Sequence, residues 1–180
     1  MSDTLLIHYN IENNNQASWA LCNDAGELTS RITTGPLVDL QDLTAKHLSV
    51  VLLDSQCLHI NELQLPTQNL QKLLKAVPFA IEEFIADDIE NIHFVISKSK
   101  ASNTTNVVGI NKSTLQLIID NFQAADILIE KIIPDALCLA ANDTQWAALN
   151  FQSNSYLQTS KLNGMVVPHD SLTYLFENKL

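Results

Sequence analysis

Between Leu48 and Asp54 the sequence reads LSVVLLD, and only Ser49 interrupts the apolar run before the closing acid. A strand with one wet face alternates apolar and polar residues, so a run like this belongs to a strand covered on both faces. Such a strand needs chain packed above and below its sheet, which points to an α/β fold with a mixed sheet. The neighbouring stretches agree. TLLIHYN (4–10), ASWALCN (17–23) and LTSRITT (28–34) read as three short strands, with Asp24, Ala25 and Gly26 turning between the second and third. GPLVDLQDLTAKH reads as a short helix with Asp39 as its expected N-cap. CLHINELQL (57–65) alternates as a further strand and stops at Pro66.

The next stretch changes rhythm. Leu70, Leu73, Leu74, Val77, Ile81, Phe84 and Ile85 have helical spacing, with Thr67 as the expected cap, yet Pro78 sits among them and cannot donate to the carbonyl of Leu74. Two half-helices meeting at a kink are therefore expected. NIHFVISK (91–98) and NVVGI (106–110) follow as strands across a polar linker, SKASNTT. A helix from Asn111 or Ser113 to Ala124 carries Leu115, Ile118, Ile119 and Phe122 on one stripe. ILIEKII (127–133) is the next expected strand, and PDALCLAAN (134–142) a short helix with Pro134 in its first turn. QWAALNF, SYLQTS and GMVVP repeat the opening rhythm of three short strands, and HDSLTYLFENKL closes as a helix capped by Asp170.

Three strands and a helix thus open the chain and recur at its end. That order is expected of a duplicated fold, although no sequence identity links the two copies. The first half-domain would span residues 1–143 and carry an inserted module at about 67–111. The second would begin at 144–180 and stop after its first helix.

Composition excludes several functions. The net charge of −10 leaves too few Lys and Arg for a broad phosphate-binding surface, so nucleic acid and anionic membrane are poor partners. A basic protein partner is the natural complement. Cys22, Cys57 and Cys138 lie far apart in apolar contexts and read as small buried hydrophobes. MSDTLLIHYN has no basic n-region, and no apolar run approaches the roughly 18 residues of a membrane span. A soluble, cytoplasmic chain is the expectation.

Catalytic patterns are missing. A nucleotide held between duplicated halves needs glycines in the hairpin turns, where backbone must approach phosphate. The two candidate turns, NIENNNQAS and NFQSNS, contain none. Glu12 and Asp54 are carboxylates expected near strand ends, too few to hold the two metals of a ribonuclease-H-type nuclease. His8 and His59 lie in strands and read as hydrogen-bonded structural residues. His169, Asp170 and Ser171 are adjacent in sequence, whereas triad members converge from separate loops. The acids Glu82, Glu83, Asp87, Asp88 and Glu90 crowd one helix end, where the helix dipole disfavours negative charge. They form either a solvated face or a patch that receives a basic partner.

Three segments carry a family likeness: LSVVLLDSQCLHINELQLP, LQKLLKAVPFAIEEFIADDIENIHFVIS and EKIIPDALCLA. Val77, Pro78, Phe79, Glu82, Glu83, Asp88, Ile92, His93 and Phe94, with Pro134, Asp135, Leu137 and Leu139, match the pattern in order across residues 48–142. The chain resembles the cytoplasmic region of type II secretion system protein L. The resemblance implies an actin-like, ribonuclease-H-like fold that is similar to nucleotide-binding ATPases but is not known for catalysis and takes no cofactor. It implies a scaffold on the cytoplasmic face of the bacterial inner membrane that docks the N-terminal domain of the secretion ATPase (protein E). It also implies contact with platform proteins M and F, a habit of dimerising, and a single membrane span outside these residues. Docking could fall on the 67–111 module or on the second half-domain. The alternative is an actin-like ATP-binding protein whose nucleotide site is completed by residues beyond 180.

Overall fold

The computed structural model describes residues 3–13, 15–66, 69–98, 104–142 and 144–177. In chain order its strands are β1 (Thr4–Tyr9), β2 (Gln16–Cys22), β3 (Thr33–Pro36), β4 (Leu48–Leu53), β5 (Leu58–Leu63), β6 (Ile92–Lys98), β7 (Thr105–Asn111), β8 (Lys131–Pro134), β9 (Ala147–Phe151), β10 (Asn154–Ser160) and β11 (Asn163–Pro168). The helices are α1 (Gln41–Thr44), α2 (Leu70–Ile81), α3 (Lys112–Ala124) and α4 (His169–Glu177). They group into two units, one of residues 1–54 with 114–135 and one of residues 55–113 with 136–180.

The first unit is built on a five-stranded sheet in the order β3-β2-β1-β4-β8. β1 runs antiparallel to β2 and parallel to β4, and β4 runs parallel to β8, so the sheet is mixed. Val50, Val51 and Leu53 of β4 are buried, as a strand with apolar residues on both faces requires. α3 ties to β1 through Phe122, whose ring meets Tyr9 edge-on, and through Asn121, whose side-chain amide donates to the Tyr9 hydroxyl at 2.9 Å.

Several local expectations shift here. After β2 the turn closes on Gly26, at φ 84°, which favours glycine. Only the single bridge Cys22 to Leu28 follows, and the third strand forms at Thr33–Pro36 rather than 28–34. Ile32, 68% exposed, marks where the chain has left the sheet. Pro36, not Asp39, takes the cap position of the 3-10 turn Leu37–Leu40, and Asp39 lies inside that turn. β8 starts at Lys131 instead of 127 because the preceding residues close α3. Asp126 adopts φ 55° and donates its N–H to Gln123, and Ile127 N–H reaches back to Phe122. That is a Schellman-like ending, in which carbonyls of the last turn are satisfied by the chain that leaves it.

The second unit holds two antiparallel three-stranded sheets, β5-β7-β6 and β11-β10-β9. β5 pairs with β7 along its whole length, so the sheet of the expected 67–111 module recruits residues from 58 onward. Val77 and Ile81 of α2 form a buried core with Ile85, Ile92 and Val107, against which Leu63, Leu65, Phe94 and Ile96 pack. Asn69 caps α2 by accepting from Lys72 N–H. Thr67, the expected cap, lies outside the described residues, as do residues 99–103 of the linker. α2 runs on through Pro78 as one element, so the expected division into half-helices is absent. The hydrogen bond that Pro78 forgoes falls on Leu74, which is half exposed.

The β11-β10-β9 sheet has the strand order and antiparallel pairing of β3-β2-β1. Residues 134–142 make only a 3-10 turn, Asp135–Cys138, because Pro134 is spent as the last residue of β8. Cys138 is exposed rather than buried, and Cys22 and Cys57 are intermediate. Asp170 lies within the first turn of α4, where it complements the helix dipole, and is not its cap. A Cβ at Gly164 would lie 2.8 Å from the Leu157 carbonyl oxygen and 3.2 Å from that of Ala136. Gly164→Ala is therefore expected to cost about 1–3 kcal/mol of stability, since backbone must yield. An unchanged urea midpoint would show that β11 can shift without cost.

Candidate partner-binding surface

α2 ends at Ile81, and the chain tightens into a 3-10 turn at Glu82–Phe84. Ile85 then turns extended and drops into the core, and after a bend a second 3-10 turn, Ile89–Asn91, leads into β6. Ile81, Ile85 and Ile92 are buried anchors. Glu82, Glu83, Asp87, Asp88 and Glu90 all lie exposed between them.

The five acids are not equivalent. Asp88 accepts from the Glu90 N–H at 3.1 Å and so caps the second turn. The Glu90 carbonyl accepts from Lys112 Nζ at 2.6 Å, which fixes its backbone while its carboxylate stays in solvent. None of the five carboxylates pairs with a cation among the described residues. They add to the negative end of the α2 dipole rather than offset it.

Two aromatics share this region. Phe79 is 73% exposed and Phe84 60%, an unusual disposition for rings of that size. Helical spacing placed Phe84 on the buried stripe, but the shortened turn at Glu82–Phe84 rotates it outward and puts Ile85 inside. Phe79 was legible as an outlier, since it alone among the large apolar residues of α2 falls off the stripe. The surface therefore combines uncompensated negative charge with two exposed aromatic rings, on a base held by a packed core.

The other candidates arrange differently. In the β1–β2 turn Asn15 has φ 62°, and in the β9–β10 turn Gln152 has φ 54°. Both turns thus use a left-handed residue that carries a side chain, where a close phosphate approach needs glycine. Glu12 is exposed, while Asp54 is buried and bonded to the Asn10 side-chain amide. Among the described residues no three His, Cys, Asp or Glu side chains are grouped as metal ligands. His8 bonds Asp135 across 3.0 Å. His169 Nδ1 lies 3.1 Å from Ser155 Oγ, not Ser171, and Ser155 is fully buried and bonded to Asn150.

Residues 5–179 match the family model for type II secretion system protein L. The chain is 26% identical over 152 residues to type II secretion system protein L of Dickeya chrysanthemi, covering 83% of this chain and 38% of that protein. To the Vibrio cholerae protein L it is 29% identical over 126 residues, covering 70% and 31%. It therefore spans about a third of the length of these relatives. The cytoplasmic domain of EpsL, an inner-membrane component of the type II secretion system of Vibrio cholerae, superposes with a TM-score of 0.82 at 23% identity, over 97% of this chain and 74% of that one. A PilM–PilN type IV pilus biogenesis complex matches at a TM-score of 0.61 and 12% identity, over 92% and 61%. A Bacteroides thetaiotaomicron protein with an actin-like ATPase fold matches at 0.50 and 12%, over 98% and 76%. The α/β, actin-like fold expected from the sequence is the fold observed.

Proposed function

Because the chain belongs to the type II secretion system protein L family, we propose that it is a non-catalytic scaffold that docks the secretion ATPase to the inner-membrane platform. It would work at the cytoplasmic face of the bacterial inner membrane. Platform proteins M and F and a second copy of the chain are its further partners in this reading. The observation that carries it is the unpaired acidic surface at Glu82, Glu83, Asp87, Asp88 and Glu90 beside exposed Phe79 and Phe84. Charge of one sign steers a basic partner, and desolvated aromatics supply the lasting affinity. The side chains at Asn15 and Gln152 support a role without nucleotide. In the same reading residues 1–143 form a first half-domain and 144–180 the beginning of a second.

Calorimetric titration with the N-terminal domain of the ATPase tests the proposal. Neutralising Glu82, Glu83, Asp87 and Glu90 to their amides, with Asp88 kept as a cap, should weaken binding about tenfold or more. It should also flatten the salt dependence. Unchanged affinity with an unchanged salt slope would return the acids to a solvated face. The likeness to an actin-like ATPase fold favours a second reading, an ATP-binding protein. A thermal shift with ATP and magnesium would support it.

A further inference from the structure

The chain leaves the first unit twice, after Asp54 and after Asp135. At each exit the last residue is a carboxylate held from the end of β1. The Asn10 side-chain amide donates to Asp54, and His8 Nε2 meets Asp135 Oδ2 at 3.0 Å across 127 residues of sequence. The exits lie side by side, since Leu53 pairs with Pro134 and the Asp54 N–H donates to the Tyr9 carbonyl at 3.1 Å. Beyond them, Ala136 N–H donates to Ser55 Oγ at 3.1 Å.

The two fastenings differ in one property. Asn10 has no charge to lose, whereas the His8 imidazole can gain or lose a proton. The His8 side chain is 35% exposed and Asp135 9%, so solvent protons reach the pair while the carboxylate stays largely desolvated. Two carboxylates act on the imidazole, Asp135 from the turn after β8 and Asp54 from the end of β4. Ser18 and Leu52 flank it on β2 and β4. The cation on this sheet face, Lys131, is in register with Val50 and Leu6, one pleat away.

We propose that His8 is a proton-operated clasp, fastening Asp135 and the exit of β8 to β1 when the imidazole is charged and loosening as it loses its proton. The hydrogen bond to Asp135 raises the His8 pKa above its ordinary 6.5, outweighing burial, which lowers it; both carboxylates add a smaller raising effect. A raised folded pKa means that the stabilisation is complete below the unfolded value and fades as pH climbs through the folded one. Neutral imidazole can still donate one N–H, so the clasp weakens without opening fully.

Amide hydrogen exchange over residues 131–138, corrected for intrinsic rate and followed from about pH 5.5 to about pH 8.5, tests the clasp. Protection at Asp135 and Ala136 is expected to fall several-fold as the His8 ring titrates by NMR, with β6 and β7 unaffected. Asp135→Asn should lower the His8 midpoint while preserving shape, and His8→Gln should leave protection flat with pH. Flat protection across the His8 titration in the unaltered chain would overturn the proposal. So would an undiminished pH dependence in His8→Gln, or a His8 midpoint unmoved by Asp135→Asn.

Discussion

Replacing Phe122 with alanine is expected to lower the unfolding free energy by about 3–5 kcal/mol, the largest single effect in the first unit. Phe122 and Tyr9 are both fully buried, and their rings meet at 5.1 Å and 76°. Truncation removes the transfer energy of the ring and leaves a void beside a second aromatic. The edge-to-face contact adds about 0.5–1.5 kcal/mol that no neighbour can replace. A second readout shows whether the void fills with water. Burial raises the Tyr9 hydroxyl pKa above its ordinary 10, opposed by the hydrogen bond from Asn121. A wetted ring should titrate lower, which absorbance at high pH would record. A stability loss under about 1 kcal/mol would mean that α3 does not rest on this residue.

The second large effect separates two positions two residues apart. Ile81→Ala should cost about 2–5 kcal/mol, because Ile81 is fully buried at the centre of the α2 core. Phe79→Ala removes a larger side chain from the same helix yet should change stability by no more than about 0.5 kcal/mol, since the ring is 73% exposed. Under the proposed function the order reverses for binding. Phe79→Ala should weaken ATPase capture by about tenfold at intact stability, as loss of an aromatic anchor does. Chemical denaturation and titration of the same two proteins give both orders. A destabilised Phe79→Ala protein would place that ring in the core instead of on the contact surface, and a stable one with full affinity would remove it from the docking site.

The acidic segment shows how far a candidate site could be read in advance. Its five carboxylates were visible as composition, and their position after an apolar stripe marked a helix end. Of the two exposed aromatic neighbours, Phe79 could be picked out because it falls off the apolar stripe, and Phe84 could not. The outward turn of Phe84 depends on the tightening of the helix at Glu82, and that change of pitch is set by Ile85 and Ile92 entering one core. β5 shows the same limit. Its alternation named a strand, but its pairing with β7, across about forty residues, assigned it to the small sheet.

The sequence alone determined the α/β class, the buried strand β4, the helices around Val77 and Phe122, and the three-strand rhythm at both ends. Each of these follows from residue periodicity and turn chemistry, which act within a few residues. Only the tertiary structure decided that β8 yields its first residues to the ending of α3, that Pro78 sits inside an unbroken α2, and that His8 meets Asp135. The last joins groups from distant parts of the chain, and the first two turn on where a local hydrogen-bond ladder ends or continues once the core is packed. Local preference sets what each segment could become. Closing hydrogen bonds and filling a core chooses where it stops and what it touches, and those partners stand up to 127 residues away.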